Sequence, residues 1–174
     1  MVATIIIAIA VLISVVLIIA VAKPDTFRVQ RSAAIEARPE KIFPLINDLR
    51  SHLSWSPFEK DPAMKRKMSG AESGKGSVYE WEGNNKVGAG RIEILDASAP
   101  SKVTMALHML KPFEAHNTVE FTIEPNGSAT NVTWLMYGRQ PFMAKLMSTF
   151  IDCDKMVGRE FETGLASLKT LAER

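Results

Sequence analysis

Residues 117–137, NTVEFTIEPNGSATNVTWLMY, hold two runs in which apolar and polar side chains alternate, joined across Asn126-Gly127. A period of two is the mark of a half-buried strand, and Asn-Gly between two such runs is the strongest short-range hairpin signal. Val119, Phe121 and Ile123 face one way on the first strand; Val132, Trp134 and Met136 match them on the second. Upstream the same pattern repeats, which predicts strands at 64–69, 76–83, 86–96, 101–109, 114–124 and 129–138. Their breaks fall at Gly70–Gly76, Asn84-Asn85, Ala97–Pro100, Lys111-Pro112 and Asn126-Gly127. Connections this short force antiparallel neighbours, so the six strands form a meander.

Two helical regions flank it. Before the meander, Phe27, Val29, Ala33 and Ile35 alternate as a first strand that completes a seven-stranded sheet. Pro39 then opens a short helix carrying Ile42, Phe43, Leu45, Ile46 and Leu49, with a second short helix running to about Trp55. After the meander, Pro141 opens one long helix to about residue 172. Its stripe, from Met143, Met147 and Phe150 through Val157, Phe161, Leu165 and Leu168, is expected to lie on the concave face of the sheet.

Residues 1–22 contain no charged side chain. As a helix they measure roughly 33 Å, enough for a hydrocarbon core of about 30 Å. Ala20-Val21-Ala22 resembles a signal-peptidase site. However, the apolar run lacks a basic segment before it and exceeds the apolar stretch of a usual signal peptide, about 7–15 residues, so an uncleaved anchor is expected. Lys23, Arg28 and Arg31 follow the run and place the domain on the cytoplasmic side. The organisation read from the chain is a transmembrane anchor at 1–22, a linker at 23–25 and one domain at 26–174, in a single-pass protein of the cell membrane. Twenty-one Lys plus Arg against 19 Asp plus Glu, with the signs interspersed, leave a net charge of +2 and no footprint for nucleic acid. The single Cys153 excludes an intramolecular disulfide.

The segments RSAAIEARPEKIFPLINDLRSHLSWSPFEKDPAMKR (31–66), YEWEGNNKVGAGRIEI (79–94), KPFEAHNTVEFTIEP (111–125) and DKMVGREFETGLASLKTLAE (154–173) resemble the polyketide cyclase/dehydrase branch of the START-like (SRPBCC) superfamily. The resemblance covers essentially residues 26–172 and implies an α+β helix-grip fold, a seven-stranded antiparallel sheet wrapped on a long C-terminal helix. It also implies an apolar cavity between sheet and helix, used by different members for lipids, sterols, polyketides, quinones or hormones. It carries no single catalytic motif onto numbered positions here.

On that expectation the strand faces nominate Trp81, Met105, Leu107, Asn117, Phe121, Trp134 and Met136 as ligand-binding residues. The long helix adds Met143, Met147 and Phe150, and the loop LSWSPFEKDP (53–62) adds Trp55, either as wall or lid or, equally, as a hydrophobic cap stapling the short helices to the sheet. Nine methionines suit a pocket that repacks around its ligand. On pattern alone, residues at such spacing more often fill a dry core than line a ligand site. Asn117, the one amide on an inward face, either orients a ligand or bonds to backbone.

No catalytic residue is assigned. His52, His108 and His116 are scattered, the latter two on outward faces, and Cys153 sits between Asp152 and Asp154, which disfavours a thiolate. No zinc spacing or phosphate-binding glycine motif is present, so neither metal nor cofactor is expected. The expected function is a membrane-anchored binding or carrier protein for a hydrophobic small molecule. The alternatives are a cyclase- or hydrolase-type enzyme using the same cavity, and an interaction or stress module with a filled core.

Overall fold

The computed structural model describes residues 1–174. Helix α1, Val2–Ala22, carries the apolar N-terminal run and stands clear of the rest except near its end. Strand β1, Thr26–Ile35, leads to helix α2, Pro39–Asn47, with proline in its first turn, and then to a single 3₁₀ turn at Ser51–Ser54. The meander follows as β2 (Lys65–Gly70), β3 (Ser77–Glu82), β4 (Ala89–Ser98), β5 (Lys102–Lys111), β6 (Ala115–Asn126) and β7 (Ala129–Arg139).

The seven strands form one antiparallel sheet in the order β1-β7-β6-β5-β4-β3-β2. Consecutive meander strands are neighbours, and β1 closes the far edge against β7 with Thr26 opposite Arg139 and Ile35 opposite Thr130. The Asn126-Gly127 hairpin is present, with Gly127 at φ +65° and Phe121 opposite Trp134 across it. Alternation puts Val103, Met105, Val119, Phe121, Ile123, Val132 and Trp134 in the core, each nearly inaccessible to solvent. Burying one such large apolar side chain contributes about 1.5–3 kcal/mol, so this face holds the domain together.

Strand ends shift by up to three residues from the sequence reading, and two differences have a clear local cause. Strand β4 starts at Ala89 rather than 86, because Asn84 folds the chain into a turn: its carbonyl accepts from the Val87 and Gly88 amides and its Oδ1 accepts from the Lys86 amide at 2.8 Å.

The expected helix from Pro141 to 172 is two helices, α3 (Phe142–Ser148) and α4 (Cys153–Ala172). Asp152 explains the restart: its Oδ1 accepts the Lys155 amide at 3.0 Å and caps α4. Ser148 and Thr149 meanwhile fold their hydroxyls back onto the Lys145 carbonyl and close α3. Only α4 grips the domain. It lies chiefly over β1, with Phe161, Leu165, Leu168 and Ala172 buried at 3 to 4 spacing, while α3 packs against α1.

Close packing of α4 depends on two glycines. The guanidinium of Arg31, on the inner face of β1, crosses Gly158 and pairs with Asp154 at 3.0 Å and Glu162 at 2.8 Å. Pro57 and the Trp134 ring come so near Gly164 that a Cβ there would lie 2.8 Å from each.

Candidate functional site

Inward side chains of β3 to β7 do not fill the space between the sheet and α4. A cavity of about 290 Å³ remains, lined mostly by hydrophobic residues. Its floor is Tyr79 and Trp81 of β3, Ile92 of β4, Leu107 and Met109 of β5, Asn117, Val119 and Phe121 of β6, and Trp134 and Met136 of β7. Val157 and Phe161 of α4 form the roof. His52, Ser56, Phe58, Glu59 and Met64 close one side, and Lys86 and Val87 of the β3–β4 turn the other. Phe58 and Lys86 are exposed to solvent and mark the mouth.

An aromatic cluster organises the inner end. Trp134 stacks on Phe161 with ring centroids 4.1 Å apart and planes within 7°, and it meets Phe121 at 4.8 Å. Trp55 stands edge-on to both Trp134 and Phe121, and its indole N–H donates to the Leu45 carbonyl at 2.9 Å. Trp55 therefore staples the loop 53–62 to α2 from behind the cavity, as part of the core. Met105 is likewise fully buried in the core.

Of the residues nominated from sequence, the fold brings Trp81, Leu107, Asn117, Phe121, Trp134 and Met136 together around the cavity. Met143, Met147 and Phe150 do not reach it. The break before Asp152 carries them onto and just past α3, where they are 64, 40 and 72% exposed.

Polar groups in the wall fall into two kinds. Asn117 Oδ1 and Trp134 Nε1 are buried without a hydrogen-bond partner in the protein. For Asn117 this removes the backbone-bonded alternative; its side chain lies across Gly138, the cross-strand partner, where any Cβ would collide with it. Leaving such an acceptor and donor unpaired costs about 1–3 kcal/mol each.

The second kind is satisfied. Glu59 takes the Tyr79 hydroxyl at 2.6 Å on one oxygen and Arg66 Nε at 2.8 Å on the other. Burial, reinforced by the bond to Glu59, raises the Tyr79 pKa and keeps the phenol a donor. His52 donates from Nε2 to the Ile46 carbonyl at 2.8 Å. Burial pushes its pKa down to about 4, against the opposing pull of that carbonyl, Asp48 and Glu59, so the ring is neutral at pH 7.

Sequence reasoning missed His52 and Glu59, since they enter from the 3₁₀ turn and the loop after it, where the chain has no periodicity.

Histidines 108 and 116 face outward and sit opposite each other on β5 and β6, their rings stacked at 3.9 Å. With Glu114 they bring three metal-ligating atoms within 4.8 Å, a group formed by strand pairing that spacing along the chain conceals. The rings lie 26° from parallel, and both Nε2 atoms approach the same Glu114 oxygen. Glu114 Oε1 lies 3.2 Å from His108 Nε2 and 3.5 Å from His116 Nε2.

Comparison with known proteins supplies the lineage. The family model described as "Polyketide cyclase / dehydrase and lipid transport" matches residues 26–173. The chain belongs to this family. Solved structures share the helix-grip architecture at low sequence identity. A protein from Mesorhizobium loti has a TM-score of 0.63 at 16% identity, covering 85% of this chain and 98% of its own. The ginseng (Panax ginseng) major latex-like protein 151 has a TM-score of 0.63 at 12% identity, covering 87% and 100%. A protein from Chromobacterium violaceum gives 0.61 at 14% identity, covering 87% and 99%. No curated protein matches the sequence. The family match begins after α1, at residue 26.

Proposed function

We propose that this chain is a membrane-tethered binding or carrier protein for a compact hydrophobic molecule bearing one or two polar atoms. The observation that carries the reading is a mostly apolar cavity, two of whose wall residues carry buried polar atoms without a partner in the protein: Asn117 Oδ1, an acceptor, and Trp134 Nε1, a donor. Polar groups few in number within an apolar wall are how small-molecule sites fix orientation. A volume of about 290 Å³ lies just below the usual range of such sites, roughly 300–1,000 Å³, which favours a small ring system or short chain over a sterol. Helix α1 is long and apolar enough to cross a membrane, and the basic residues after it favour a cytoplasmic domain. Tethering would keep the cavity close to the phase in which an apolar ligand dissolves.

The test is native mass spectrometry of residues 24–174 before and after organic extraction, with displacement of a fluorescent fatty acid in parallel. The reading predicts a retained or displaceable apolar mass; neither being found contradicts it.

An enzyme of cyclase type is the second reading, favoured by Glu59, Tyr79 and His52 in the wall. Against it, both oxygens of Glu59 are already engaged and Tyr79 is held as a donor, so neither stands free to take a proton from a substrate.

A further inference from the structure

Helix α3 is amphipathic in the wrong sense for a helix facing water. Its one charged residue, Lys145, is only 8% exposed and pairs at 2.5 Å with Oδ1 of Asp25, which is itself exposed, whereas Phe142, Met143 and Met147 face out. Phe150 and Ile151, just beyond it, are also exposed. A helix that buries its cation and presents its apolar face matches an apolar surrounding.

The place of α3 says which surrounding. Lys23 Nζ donates to the Ser148 carbonyl at 2.5 Å and to Ser148 Oγ at 3.0 Å, and the Gln140 amide donates to the Asp25 carbonyl at 2.7 Å. These bonds fix α3 to the base of α1. Ala20 is wholly buried where the two helices meet. It lies two residues, about 3 Å along the axis, before the end of α1, so an α1 that spans the hydrocarbon sets α3 at the level of the headgroups.

The sheet brings more to the same end. Thr26 pairs with Arg139, Gly138 with Asn117, and Asn117 with Leu107, which aligns the start of β1 with the turn between β5 and β6. Leu110 and Phe113 flank that turn, 53 and 65% exposed. The cavity mouth, with Lys86 and Met109, opens at this end too. Besides α1, the exposed apolar side chains on these segments include Leu110, Phe113, Phe142, Met143, Met147 and Phe150. Lys86 and Arg139, both exposed and without an ion pair, supply cations for anionic headgroups.

We propose that α3, the segment after it and the β5–β6 turn form a bilayer-docking face that seats the cavity mouth on the lipid surface. The occupant is the headgroup–acyl boundary of the membrane that α1 spans, and the ligand passes between bilayer and cavity without crossing bulk water. This rests on the reading of α1 as an anchor.

The test uses the full chain carrying Cys153→Ser, reconstituted in vesicles of phosphatidylcholine and phosphatidylglycerol. An NBD fluorophore is attached through Phe113→Cys, Met143→Cys or Phe150→Cys, with Glu124→Cys at the opposite end of the sheet and Leu12→Cys inside α1 as references. The expected result is blue-shifted emission at 113, 143 and 150. Quenching there should be strongest by lipids brominated near the carbonyl end of the acyl chain, as for side chains sunk about 5–10 Å into the interface. Position 124 should remain aqueous, and position 12 should respond to bromines deeper in the chain. Aqueous spectra at 113, 143 and 150 with position 12 quenched overturn the docking face while leaving the anchor standing. Quenching at 124 equal to that at 113 also overturns it. No quenching at position 12 overturns the anchor itself, and the docking face with it.

Discussion

Asn117 and His52 illustrate two ways in which burial can work against stability. Asn117 places an oxygen in an apolar wall with no partner; a leucine there would remove the penalty and leave the strand pairing intact. Asn117→Leu is therefore expected to raise stability by about 1 kcal/mol in chemical denaturation while weakening retention of the bound molecule; an unchanged ligand affinity would show that the amide orients nothing. His52 is buried neutral, with its pKa near 4 in the fold against 6.5 in an unfolded chain. Between those two pH values the unfolded state binds the extra proton, so stability present above about pH 6.5 is lost as the pH falls toward 4. The loss is on the order of 3 kcal/mol. His52→Gln, which keeps an N–H for the Ile46 carbonyl, should flatten the denaturation free energy across that window. The lowered pKa values of Asp25, Asp154, Glu82 and Glu173 act only at more acidic pH.

Among the elements, α4 shows how a glycine serves contact more than flexibility. Ala in place of Gly normally gains up to about 1 kcal/mol within a helix. At position 164 the added Cβ would press on the Trp134 ring and Pro57, two rigid groups, at 2.8 Å, and overpacking of this kind costs about 1–3 kcal/mol. Gly164→Ala should thus lower the melting temperature measured by circular dichroism; an increase would mean the loop at Pro57 yields freely. The strands were legible from residue order because alternation and Asn-Gly act over a few positions, and Phe121, Trp134 and Met136 could be assigned a face without knowing the fold. The end of α3 was not, since the apolar spacing of Met143, Met147 and Phe150 continues smoothly into Val157. Only the local bonding of Ser148, Thr149 and Asp152 reveals the break. Likewise Glu59 meets Tyr79, and Arg31 meets Glu162, across separations of 20 and 131 residues that no local pattern encodes.

At the level of the whole molecule, the helix-grip domain leaves space where its sheet curves away from α4, and the chain adds an apolar helix whose base abuts that domain. The central claim is that the space under α4 receives a ligand, and its most direct measurement is a fluorescence titration of the full chain with 1-anilinonaphthalene-8-sulfonate, set beside the Leu107→Trp variant. Leu107 is a wall residue, and an indole there occupies the cavity while the exposed apolar patch around α3 is untouched. The account predicts one saturable site in the native chain that is lost in Leu107→Trp at an unchanged melting temperature. Equal binding by the two proteins, or no saturable binding by either, would contradict it.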